Sequence, residues 1–336
     1  MQKKILLIED ERSGYSMKRY VAHLKKIDAF DFSVFTVHDY FSTIYVPIFK
    51  YLILPFKVFF AKESSIIIPT ERYAYLLWFW RGEKSVVVCH DLHDLMNYDV
   101  PFYLKCFIRL NLSGLTKATK IVTVSEHTQV DLLKYKPTLD RNKMAVIHNA
   151  IEDHWFTSGS KSDFNSDFTK SLPDSYVLMV GTNAWYKNID WGLRIINELN
   201  ISLVKVGVLS EQQINFLNTN KISYTHYQNV KEVQLKYLYS NASFLFFPSI
   251  HEGFGWPVLE AMASSCPILA SNKASIPEIG EQHIQYIDLN SIERTHQIIK
   301  EYLDANIQQD KELNRQRAKS FNFERFSSSF KELLNQ

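Results

Sequence analysis

Residues 247–271, FPSIHEGFGWPVLEAMASSCPILAS, bring the groups of one chemistry close together. An apolar run ends at Phe247, a loop holding Gly253 and Gly255 follows, and a helix opens with Pro257 in its first turn. A missing N–H costs nothing at that position. The two glycines let the backbone approach a ligand. The amides of Phe254, Gly255 and Trp256, at a helix N-terminus, form a site for an anion such as a diphosphate. Glu252 sits in the loop and Glu260 about one turn into the helix, with seven residues between them. One ordinary reading is that such a Glu serves the helix dipole. Carboxylates beside a phosphate repel it, so a functional pair needs a further partner. Sugar hydroxyls supply one, because an ionised carboxylate only accepts hydrogen bonds. One Glu can hold a ribose and the other a hexose, with the diphosphate between.

Elements must bring these residues together, and the rest of the chain reads as alternating strands and helices, the pattern of parallel sheets wrapped by helices. In the first half KILLI, FSVFTV, SIIIP, SVVVC, KIVTV and MAVIH read as strands buried on both faces. SMKRYVAHLKK, RYAYLLWFW and SEHTQVDLLKY read as helices, the last capped by Ser125. Residues 153–174 are polar and read as a linker. A second alternation runs from YVLMVG to PILAS, and FNFERFSSSFKELLNQ reads as a closing helix. The expected division is 1–165, 166–320 and a closing helix 321–336. The opening KKILLIEDE resembles the start of a phosphorylatable receiver domain. The region where a receiver needs its Asp, KYLILPFKVFFAKESSIIIPT, has none, so the run reads as the first buried strand of a doubly wound α/β domain.

The chain has 336 residues, enough for two ordinary domains, with 46% apolar and 22% charged residues. A net charge of +2 is too small to point to nucleic acid. Cys89, Cys106 and Cys266 have no metal spacing and suit a reducing, cytoplasmic setting. The apolar run at the N-terminus is too short for a signal peptide. Residues 40–62, rich in aromatics, are broken by Lys50, Lys57, Pro47 and Pro55 and cannot span a bilayer as one helix. They read either as a helical pair packed on the sheet or as a surface touching membrane at its inner face or a lipid-linked substrate.

The 247–271 stretch resembles the donor-binding signature of family-4 retaining glycosyltransferases, roughly P-S-x-x-E-G-F-G-x-P-x-x-E-A-M-A-x-G-x-P-V, followed from Pro248 to Ile268 with Ser265 in place of the last Gly. VVVCHDL, IVTVSEHTQVDL, VIHNAI (Ala150 for Gly), VGTNAWYKN, LKYLYSNA and ASIPEIG extend the resemblance over most of the chain. It implies the GT-B fold: two Rossmann-like domains facing a central cleft, with the acceptor on the first and a nucleotide sugar on the second. It implies that Glu260 holds the ribose, Glu252 the transferred sugar and Lys187 the diphosphate, and that Ser249 and Thr182 also line the donor site. Thr182 stands where many members carry Arg. His90, at the end of the VVVCH strand, would line the sugar pocket. Tyr227 would lie near the base, and Gly14, the one glycine of RSGYS where two are common, in the cleft-facing loop. HDLHD, 90–94, could also be read as metal ligands, crowded in one loop with no distant partner.

The implied reaction is front-face transfer of a hexose from a UDP- or GDP-linked donor to a glycan or lipid-linked acceptor, in bacterial surface polysaccharide synthesis, without cofactor or metal. Alternatives on the same fold are a sugar-nucleotide epimerase, a phosphorylase, or a silent subunit of a glycan assembly complex.

Overall fold

The computed structural model describes residues 3–40, 45–96, 100–157, 168–169, 171–199, 201–304 and 309–335. The chain divides into two compact units, Met1–Ala150 with Phe323–Gln336, and Ile151–Asn322. The final helix, Phe323–Asn335, therefore belongs with the first unit, and the expected boundary at 165 lies outside the described residues.

In the first unit β1 (Lys3–Asp10), β2 (Phe30–Val37), β3 (Ser65–Ile68), β4 (Lys84–Cys89), β5 (Lys120–Thr123) and β6 (Met144–Val146) form one parallel sheet in the order β2-β1-β3-β4-β5-β6. Their apolar runs are covered on both faces, with Ile5, Leu6, Leu7, Ile66, Ile67 and Val87 fully buried. The second unit repeats the plan. Here β7 (Val177–Val180), β8 (Leu203–Val206), β9 (Tyr224–Tyr227), β10 (Phe244–Phe247), β11 (Ile268–Ser271) and β12 (Gln285–Ile287) run parallel in the order β12-β11-β10-β7-β8-β9. That is the dinucleotide-fold strand order, and its chain direction reverses between β7 and β10. Ligands of such sheets bind beyond the carboxyl ends of the strands at that point.

Two helices differ from the sequence reading. The 72–80 segment forms a 3₁₀ helix, Glu71–Trp78, capped by the Thr70 hydroxyl. The aromatic run is not a helical pair: α-helix (Tyr45–Ile48), π-helix (Phe49–Ile53) and α-helix (Leu54–Phe59) follow one another without interruption. The π turn accommodates Pro55. In that register Leu54 N–H bonds to the Phe49 carbonyl, and the next N–H would serve Lys50. Proline has none, and the Tyr75 hydroxyl donates to the Lys50 carbonyl instead. One face of this run, with Val46, Phe49, Leu54 and Val58, is buried, while Leu52, Phe56 and Phe60 are more than 60% exposed.

Candidate active site

The reversal point of the second sheet brings two loops together. The loop after β7 leaves through Gly181, whose φ of 145° suits glycine, and a 3₁₀ turn, Trp185–Lys187, points Lys187 back over it. A Cβ on Gly181 would lie 3.3 Å from the Lys187 methylenes. Asn188 then adopts a left-handed conformation (φ 54°) and donates to the Pro248 carbonyl at 3.3 Å. Ile250 N–H bonds to the Tyr186 carbonyl at 2.8 Å, so the β7 and β10 loops are held together by backbone.

Across this junction Lys187 Nζ meets Glu252 Oε1 at 2.7 Å, with side-chain exposures of 11% and 8%. The Ser249 hydroxyl lies 2.6 Å from the same oxygen. Both bonds fall on Oε1, and among the described residues none donates to Oε2. A carboxylate has about four acceptor sites, so Oε2 is left to accept hydroxyls from a ligand. Lys187 keeps further N–H donors beyond the one given to Glu252.

Glu252 is held from below as well. The Ser275 hydroxyl lies 3.0 Å from the Glu252 carbonyl and 2.7 Å from that of Phe254. Gly255 caps the helix Trp256–Ala263 at φ 103°, a conformation that needs glycine although a Cβ there would meet nothing closer than 4.0 Å. No described acceptor takes the Gly255 N–H. Phe254 is buried edge-on between Trp256 and Phe321, which fixes the turn. Glu260, 4% exposed, accepts from the Tyr239 hydroxyl at 3.1 Å. At the far end of this helix Ser265 N–H bonds to Met262 and Cys266 N–H to Ala261, the Schellman pattern, with Ser265 at φ 57° where glycine is preferred.

Of the residues singled out by sequence, Lys187, Ser249, Glu252, Gly253, Phe254, Gly255, Trp256 and Glu260 belong to these two loops and their helix, with Thr182 exposed at the end of β7. Tyr227 ends β9, the edge strand two places from β7, and its hydroxyl meets Ser171 at 2.7 Å. His90 and Gly14 belong to the first unit. His90 is buried against Tyr20, with its Nε2 2.9 Å from the Pro69 carbonyl. Burial lowers its pKa to about 4, so the ring is neutral and carries its proton on Nε2. His93 pairs with Asp91 at 3.0 Å. Gly14 caps the Tyr15–Lys25 helix with an ordinary φ of −62°, and a Cβ there would meet nothing within 4 Å. The fold itself does not require glycine at that position.

One residue escaped the sequence reading. Lys205 is fully buried in β8, and its Nζ donates to the Gly181 and Val206 carbonyls, both at 2.7 Å. The signal was a lone lysine inside the apolar run SLVKVGV.

Comparison with known proteins agrees with this geometry. The family model for glycosyl transferases group 1 matches residues 161–320. The O-antigen chain mannosyltransferase RfbU of Salmonella typhimurium is 27% identical over 255 residues, covering 67% of this chain and 69% of RfbU. The serotype-specific mannosyltransferase WbdA of Escherichia coli is 25% identical over 221 residues, which span 58% of this chain but 26% of WbdA. Among solved structures, Anabaena Alr3699/HepE in complex with UDP-glucose superimposes with a TM-score of 0.71 at 14% identity, over 99% of each chain, a likeness of fold. Residues 161–320 thus match the glycosyl transferases group 1, and the two sheets have the GT-B fold of the solved glycosyltransferases.

Proposed function

We propose that the chain is a retaining, nucleotide-sugar-dependent hexosyltransferase that adds mannose to a glycan or lipid-linked glycan of a bacterial surface polysaccharide. The observation that carries this reading is the Lys187–Glu252 pair, with one carboxylate oxygen left without a protein donor, beside a helix N-terminus at the reversal point of the sheet. The names of RfbU and WbdA support mannose as the sugar. Departure of the nucleotide places negative charge on the β-phosphate. Lys187 and the amides of 254–256 stabilise it electrostatically, in place of a metal. Glu252 Oε2 accepts hydroxyls of the transferred sugar, and Glu260 those of the ribose. Ser249 and Thr182 complete the donor site, with Tyr227 toward the base. The acceptor attacks the face the nucleotide leaves, and the leaving phosphate takes its proton.

Thermal unfolding with UDP, GDP and their hexose conjugates tests the donor, since a ligand of the native state raises the melting point. Proton NMR of the product tests the stereochemistry. A melting point unmoved by every nucleotide, or a product of inverted anomeric configuration, would refute the reading.

Peripheral contact with an anionic membrane belongs to the same proposal. No described helix is long and apolar enough to cross a membrane. Residues 45–62 and 101–118 carry Lys50, Lys57, Lys62, Lys105, Arg109 and Lys117 and no Asp or Glu. Leu52, Phe56, Phe102 and Tyr103 are each at least 67% exposed on these segments, which meet where Tyr51 packs on Phe107 at 5.0 Å. Apolar side chains among cations suit an anionic lipid surface. The Leu52→Asp/Phe56→Asp variant should lose at least about tenfold in sedimentation with phosphatidylglycerol vesicles. Undiminished binding would remove this face from the proposal.

A further inference from the structure

Lys205 has a feature the donor-site reading leaves unused. Its ammonium group is fully buried, and among the described residues no carboxylate meets it. A buried cation without a counter-charge is costly. The facing groups are few. Lys187, on the β7 loop, repels it. Met179 and His226 are its register partners on β7 and β9, and His226 Nε2 lies 2.8 Å from the Gly207 carbonyl. Glu252 is paired with Lys187 instead. Burial first, and then Lys187, lower the Lys205 pKa to about 7. A neutral amine has two N–H donors, the number its two carbonyl partners use, and its lone pair can take a third proton.

The surroundings are shaped around that nitrogen. A Cβ on Gly207, at φ 101°, would lie 2.0 Å from the Gly181 carbonyl oxygen and 3.3 Å from Lys205 Nζ. Gly181 is therefore gripped on one side by the Lys187 methylenes and on the other by the Lys205 nitrogen. In a planar trans peptide the N–H points opposite to the carbonyl. With the Gly181 carbonyl held inward by Lys205, the Thr182 N–H points away from it, at the carboxyl end of β7. No described acceptor takes that N–H, and Thr182 is exposed. The reversal point thus presents one more backbone donor, aimed from beneath by a buried amine. A diphosphate brings more than one negative charge, while Lys187 is already offset by Glu252.

We propose that Lys205 is a positioning residue of the diphosphate site: it anchors the Gly181 carbonyl, turns the Thr182 N–H toward the diphosphate of the donor, and takes up a proton from solvent when that anion binds. The proton adds to the Nζ lone pair, and the buffer supplies it. This rests on the donor-site reading above and extends it to a residue outside the two loops.

Calorimetric titration of the full chain with UDP and with GDP at pH 8, in two buffers of different ionisation enthalpy, reads both affinity and proton uptake. The wild type should take up protons on binding. Lys205→Met should bind about tenfold more weakly and lose the uptake. Its melting point without ligand should be equal or somewhat lower, since no charge is lost at pH 8 while the Gly181 and Val206 carbonyls lose a donor. Lys205→Gln, which offers two donors but no lone pair to protonate, should lose the uptake while keeping more of the affinity. It serves the same purpose should the Met variant not fold. His226→Gln should retain the uptake. Variants of Lys205 that bind and take up protons like the wild type would overturn the proposal, as would uptake lost with His226. A wild type that binds neither nucleotide would instead overturn the donor-site reading beneath it.

Discussion

Each unit has a lysine–carboxylate pair at the carboxyl end of a strand, Asp10 closing β1 and Glu252 following β10, and the two pairs are finished differently. In the first unit Lys50 Nζ meets Asp10 Oδ2 at 3.0 Å, and the Tyr73 hydroxyl meets the same oxygen at 2.6 Å. Arg12 N–H takes Oδ1 at 3.0 Å, and Lys50 lies over the Tyr73 ring at 4.6 Å. Both carboxylate oxygens are thus used by the protein. In the second unit Lys187 and Ser249 crowd onto Glu252 Oε1, and Oε2 has no described donor. An ion pair with both oxygens satisfied stabilises the fold. One that leaves an oxygen without a described protein donor can accept from a ligand. In the proposed function the pair therefore serves structure in one unit and the donor in the other.

Substitutions that separate these roles sharpen the comparison, and the largest effect belongs to Glu252. Glu252→Gln should lower turnover by about 10²–10³-fold, the scale of removing one group that acts on the transition state. Its fold should be retained, and the loss of turnover should exceed any effect on the melting point of removing the Lys187 counter-charge. Steady-state kinetics and thermal unfolding read the two sides, and near-normal turnover would erase the distinction between the pairs. Lys187→Ala should weaken nucleoside diphosphate binding by about 1.5–3 kcal/mol, the range for a hydrogen bond to a charged group. Calorimetry measures it, and unchanged affinity would leave the lysine a structural partner like Lys50.

The first-unit pair should behave in the opposite way. Asp10→Asn should cost about 1–3 kcal/mol of unfolding free energy, because Lys50 loses its counter-charge, and leave nucleotide affinity untouched. The pH dependence has a definite sign. Burial tends to raise the Asp10 carboxyl, but Tyr73 and Lys50 outweigh it and hold the pKa below the ordinary 3.8. The pair's contribution is then complete above that value and is lost as pH falls through the depressed one. Acid-unfolding curves of the variant should lack that component. The smallest effect lies at Ser265, where glycine suits the left-handed backbone. Ser265→Gly should stabilise by about 0.5–1 kcal/mol in denaturant melts, with kinetics unchanged.

Much of this was legible beforehand, for physical reasons visible in particular residues. Strands covered on both faces read as apolar runs, so β1, β3, β4 and β10 are readily found. The 247–271 signature fixed a loop, a helix start and two carboxylates within one short segment. Other features have no local sign. β12 has only three residues, too few to show a period. The helix Lys311–Lys319 is mostly polar, with Asn314 and Ala318 its buried residues, so its apolar stripe is thin. The π turn at Phe49–Ile53 depends on a hydroxyl from Tyr75, distant in sequence. That Ser265 must take a left-handed backbone follows from the helix end it closes. Lys205 was present in the sequence as a charge inside a strand, but its meaning depends on Gly181 and Gly207 packing around it.

In the proposed function a donor diphosphate rests between the Lys187 turn and the Trp256 helix, with Glu252 facing the sugar. A crystal structure with GDP or UDP at saturating concentration tests it most directly. Phosphate oxygens should lie at hydrogen-bond distance, about 2.7–3.1 Å, from Lys187 Nζ and the amides of 254–256, with the ribose at Glu260. A nucleotide bound elsewhere, or Glu252 and Glu260 turned away from it, would refute the proposed donor site.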